Sequence, residues 1–103
     1  MFRRRRFADL IARQLDLFER EQRGLIEQCV AAERAYDRAD RSAAEERYGD
    51  YVDLVETGTE ILADIREHFA QTLDEATAED YEAAFNRAVA KRLPRFALEI
   101  ENR

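Results

Sequence analysis

An all-α fold follows from three properties of the sequence: apolar residues that return every three or four positions, very few turn-formers, and two polar breaks in the pattern. Glycine occurs three times, proline once and tryptophan never among 103 residues, whereas sheets joined by tight turns need more of the first two. The length suits one domain. We read residues 1–103 as a single helical domain, with a basic N-terminal segment at 1–6 and an apolar C-terminal tail at 94–103.

Between Arg5 and Ala39 the stripe Ile11, Leu15, Phe18, Gln22, Leu25, Cys29, Ala32, Tyr36, Ala39 alternates spacings of four and three. This heptad keeps one face of a helix toward a partner helix. Leu10, Leu17, Ile26 and Val30 widen the stripe, so the helix is expected to touch more than one neighbour. Gln22 reads either as a polar group that fixes register across an interface or as the mark of a wetter bundle end.

The stretch RADRSAAE at 38–45 supplies the first break. Ser42 followed by Glu45 has capping-box spacing, with Asp40 as the alternative cap. A turn near residues 40–42 is favoured over a rival at Gly49, where Asp50 would cap the next helix. A connection this short makes the two helices antiparallel neighbours.

The second stripe places Tyr48, Val55, Leu62 and Phe69 seven apart, with Tyr51, Gly58, Ile65 and Thr72 interleaved. Glycine costs about 1 kcal/mol relative to alanine inside a helix, so Gly58 suggests close approach of another backbone. Thr77 and Asp80 then form an approximate capping box for a last helix facing inward through Tyr81, Phe85, Ala88 or Val89, and Arg92 or Leu93. Pro94 should stop it. Beyond it Phe96, Leu98 and Ile100 alternate with Arg95, Ala97 and Glu99, which reads as an extended segment; a further helical turn using Phe96 and Ile100 fits nearly as well.

A first helix of roughly 35 residues would be about 50 Å long, and one short third helix is too small to cover two such faces. Exposed apolar area of that extent marks a partner surface. The expectation is therefore a long antiparallel helical hairpin plus a shorter third helix, completed as a coiled-coil-like four-helix bundle in a homodimer. Ile11, Leu15, Phe18, Leu25, Val55, Leu62 and Phe69 would carry the interaction surface. The alternative is a monomeric three-helix bundle covered by the third helix and tail. The tail offers a second place for a protein partner, and Tyr36, Tyr48 and Tyr51 would seal the turn end of the hairpin.

Charge narrows the function classes. The formal net charge is -6 although Arg3, Arg4, Arg5 and Arg6 are included, so the remainder is more acidic still and repels phosphates; nucleic acid is not an expected partner of the whole domain. The Arg run, beside Phe2, Phe7, Leu10 and Ile11, could contact an anionic membrane surface, nucleic acid or an acidic protein, or could simply solubilise the N-terminus. It opposes the helix macrodipole, so it does not serve the helix it precedes.

A carboxylate bundle invites a metal site, and Glu60, Asp64, Glu67 and His68 are the candidates, with Asp64 and His68 one turn apart. The Glu-x-x-His pair of carboxylate-bridged bundles is absent, because Ile65 stands three residues before the single histidine. A solvated acidic face is the competing reading. Cys29 lies on the first stripe and reads as a packing residue; one cysteine allows no internal disulfide. Asp9, Arg13 and Asp16 interrupt any signal-like apolar run, and no run approaches a membrane span. The reading is of a cytoplasmic, non-enzymatic interaction protein without a cofactor.

Overall fold

The structure, a computed structural model, describes residues 6–103. Among them are five α-helices and no strand: α1 (Ala8–Glu21), α2 (Arg23–Arg38), α3 (Ala44–Ala70), α4 (Glu75–Arg92) and α5 (Ala97–Glu101), with a 3-10 turn at Pro94–Phe96 before α5.

The expected single first helix is two. At Gln22 the backbone moves to φ -108°, ψ 25°, although its N–H still donates to the Phe18 carbonyl at 2.8 Å and its carbonyl accepts from Ile26 at 2.9 Å. The chain bends without losing its face. Gly24 supplies no side chain at this point and has open space around it, and glycine is among the weakest helix formers. Gln22 thus marks a bend and is half-buried.

The chain reverses at residues 39–43, and Gly49 lies inside α3 with nothing within 4 Å of its Cβ position. Asp40 organises the reversal, accepting from the Ser42 hydroxyl at 2.7 Å and from the Ala43 N–H at 3.1 Å. The Ser42–Glu45 capping box does not form; the alternative cap Asp40 takes the role, a charged and therefore stronger acceptor to which Ser42 also gives its proton. The same substitution of roles opens α4. Asp74 is the cap, accepting from the Thr77 N–H at 2.9 Å and the Thr77 hydroxyl at 3.1 Å, so the helix begins at Glu75, ahead of the expected start.

Leu93, at φ -131°, ψ 61°, leaves α4 immediately before Pro94, as the proline ring requires. The tail is not extended. Its 3-10 turn and α5 bury Phe96 and Ile100, four apart, and leave Leu98 71% exposed; the helical period selects one pair of apolar residues where strand alternation would have aligned all three.

α1, α3 and α4 form the body. α1 and α4 run parallel, since Phe7 meets Tyr81 while Phe18 meets Phe96 farther along both; Phe7 also meets Phe69 at the end of α3. The rings of Phe7 and Tyr81 stand edge-to-face at 5.4 Å, and Phe69 lies 4.8 Å from Tyr81, the arrangement aromatic quadrupoles favour. The tail closes the middle of this body. A Cβ at Gly58 would lie 2.5 Å from Phe96 Cε1, so the approach that requires glycine is made by an aromatic ring and not, as expected from the sequence, by a backbone.

The molecule measures 51 × 24 × 23 Å with a radius of gyration of 15.6 Å, against about 13 Å for a compact chain of this length. The excess length is α2 and the first half of α3. These two pack on each other more extensively than any other pair of elements, and they project as an arm.

Candidate interaction surface

The inner limit of the arm is set by Arg95, in the 3-10 turn. Its Nη1 donates to the Tyr51 hydroxyl at 3.0 Å and to Glu33 Oε1 at 3.3 Å, and its guanidinium lies 5.5 Å from the Tyr51 ring. Cys29 and Val55 are the last fully buried side chains on their helices in this direction. Burial pushes the Cys29 thiol above its ordinary pKa, with the Arg95 charge opposing, so the sulfur is a packing group.

Beyond this point the two helices have no core. From residue 30 to residue 54 not one side chain is fully buried, and Val30, Val52 and Leu54 are only half covered. Tyr36 and Tyr48 pack ring to ring at 5.3 Å across the helix pair, yet remain 40% and 53% exposed. Tyr51 does not join them, since its hydroxyl is drawn inward to Arg95.

None of the expected interaction residues lies on the coreless stretch of the arm, residues 30–54. Ile11, Leu15, Phe18, Val55 and Leu62 lie in the chain's own core, covered by α4 and the tail, while Leu25 and Phe69 are half-buried. This cover exceeds what an extended tail would give, since the tail takes the helical form that buries Phe96 and Ile100. Glu60, Asp64, Glu67 and His68 are all exposed on α3, and among the described residues no group of three or more His, Cys, Asp or Glu is arranged to hold a metal ion. Arg3, Arg4 and Arg5 lie outside the described residues. Arg6 is exposed, 5.4 Å from the Phe7 ring; its charge adds to the Thr77 hydrogen bonds that hold the Asp74 carboxyl below its usual range. Phe7 and Ile11 are buried, so they are not free to accompany the Arg run onto a surface.

Two arginines organise the body: Arg66, which the periodicity did not single out, and Arg92, expected only as the alternative to Leu93 on the inner face of the last helix. Arg66 is 4% exposed and donates through Nη1 to Asn86 Oδ1 at 2.8 Å and to the Ile100 carbonyl at 3.0 Å; its Nε has no partner among the described residues. The spacing Leu62, Arg66, Ala70 carried the signal, because residues four apart share a helix face. Arg92 holds Asp16 and Glu19 of α1 and reaches the Ala12 carbonyl at 3.3 Å, which pins α4 to α1. Among the described residues no helix is long and apolar enough to cross a membrane. No protein-family model matches this chain, and neither the curated proteins nor the solved structures compared with it contain a match.

Proposed function

We propose that this chain is a non-enzymatic interaction protein of the cell's reducing interior that pairs with a second copy of itself along the α2–α3 arm. The observation that carries the reading is the arm's lack of any fully buried residue between positions 30 and 54. Helices in proteins owe most of their stability to packing of an apolar face, and a two-helix arm covers only part of each. A second arm laid against the first supplies the missing layers and produces a four-helix bundle with twofold symmetry. Tyr36 and Tyr48 would sit at its centre as amphipathic aromatic anchors.

Size-exclusion chromatography with light scattering tests this. The wild-type protein should run as a dimer, and Tyr36→Glu/Tyr48→Glu as a monomer with unchanged helical circular dichroism. A wild-type protein that stays monomeric as its concentration rises refutes the pairing.

A further inference from the structure

Between α1 and α4, away from the arm, lies an open groove of about 410 Å³. Ile11 and Leu15 form its floor, and its sides are Ala8 and Ala12 on α1 facing Ala84 and Ala88 on α4. Each alanine pair is spaced i, i+4 and so stacks along one helix face, leaving room for side chains from outside. The rim is cationic: Arg87, Lys91 and Arg92 line the groove and no carboxylate does.

Arg92 shows which groups this rim accepts, since it already holds two carboxylates of α1. Arg87 and Lys91, one turn apart on α4, are exposed and make no ion pair among the described residues. Two cations without a carboxylate partner among the described residues thus flank an apolar floor. Their complement is an anionic partner with an apolar ridge.

We propose that this groove docks an amphipathic helix of an acidic partner protein, which seats apolar side chains over Ile11 and Leu15 and places carboxylates one turn apart on Arg87 and Lys91. The groove's length fits: Ala8 to Leu15 spans two helical turns, about 10 Å, the reach of anchors at i, i+3 or i+4 and i+7 in helix-in-groove recognition. The matching i, i+4 spacing of the two cations favours a regular helix over an irregular segment. This site is separate from the arm and does not depend on self-association.

The test uses a synthetic leucine-ridged helical peptide of about five turns, made once with flanking glutamates and once with flanking lysines, and followed by fluorescence anisotropy. The glutamate peptide should bind the wild-type protein and weaken with added salt, and the lysine peptide should not bind. Arg87→Glu/Lys91→Glu should lose the glutamate peptide by about tenfold or more and gain the lysine peptide, while Ala84→Trp, which fills the groove, should lose the glutamate peptide without gaining the lysine one. The charge-reversed variant should keep wild-type helicity and oligomeric state. Equal affinity for the two peptides, or none for either, overturns the proposal. Displacement of the glutamate peptide by decanoate would reassign the groove to single-chain acids, and dissociation of a wild-type assembly by the charge reversal would reassign it to a second copy.

Discussion

At the scale of residues, Gly58 and Phe96 decide where the tail sits. Phe96 is 1% exposed and wedged between Phe18 and the bare backbone face at Gly58. Gly58→Ala would push a methyl group into that ring; overpacking costs about 1–3 kcal/mol, only partly offset by the roughly 1 kcal/mol gained in helix propensity. Gly49→Ala has open space and should stabilise by up to about 1 kcal/mol. Urea denaturation of the two variants should therefore move the midpoint in opposite directions, and movement in the same direction would remove Phe96 from that position. The sequence showed a glycine needing a reason and a phenylalanine needing a site. Their partnership, across 38 positions of chain, is tertiary information that periodicity does not hold.

Tyr81 gives the residue scale a pH signature. It is fully buried, its hydroxyl donates to Gln14 Oε1 at 2.9 Å, and burial pushes its pKa up to about 12, with the Arg66 charge opposing. The unfolded phenol ionises near 10. Below that value both states are protonated and the contribution is intact; between about 10 and 12 only the unfolded state loses its proton, so stability falls with rising pH by about 2–3 kcal/mol. The raised thiol of Cys29 acts in the same direction from about 9 upward. Tyr81→Phe should cost about 1 kcal/mol at neutral pH through the lost hydrogen bond and should flatten the alkaline decline, measured by thermal melts across that range. An unchanged decline would assign it to other groups.

At the scale of elements, both polar breaks were legible but their chemistry was one step displaced. Asp40, the alternative cap, takes the role in place of Ser42, and Asp74 takes that of Thr77, because a carboxylate outcompetes a hydroxyl for the first free N–H groups, and the hydroxyls become donors to it. The tail was the least legible element. Phe96, Leu98 and Ile100 satisfy strand alternation, and only the fit of two of them against Gly58 and Arg66 selects the helical form. Arg66 then fastens α5 to α3 through the Ile100 carbonyl at the negative end of that short helix. Arg66→Ala leaves Asn86 Oδ1 and the Ile100 carbonyl without this donor, at about 1–3 kcal/mol for each group left unpaired. Limited proteolysis should then cut the chain around Pro94 well before the body opens; cleavage as slow as in wild type would show that Phe96 alone holds the tail.

At the scale of the whole molecule, the two heptad stripes serve two purposes, and along α3 the buried face also takes in Thr59, Arg66 and Ala70, which lie off the stripe. Over Ile11 to Phe18 and Val55 to Leu62 they build the chain's own core, because α4 and the tail fold back on them. Around Tyr36 and Tyr48 the same stripes continue with only each other for cover. No local feature of the sequence marks that division. It depends on how far the tail reaches, which ends where Arg95 meets Glu33 and Tyr51.

The claim that the arm is the working surface is tested most directly by amide hydrogen exchange measured over a series of protein concentrations. Exchange should slow with concentration at residues 30–54 and stay constant in the body around Phe7, Tyr81 and Ile100. Protection that is independent of concentration throughout, or that grows in the body instead of the arm, would contradict the account.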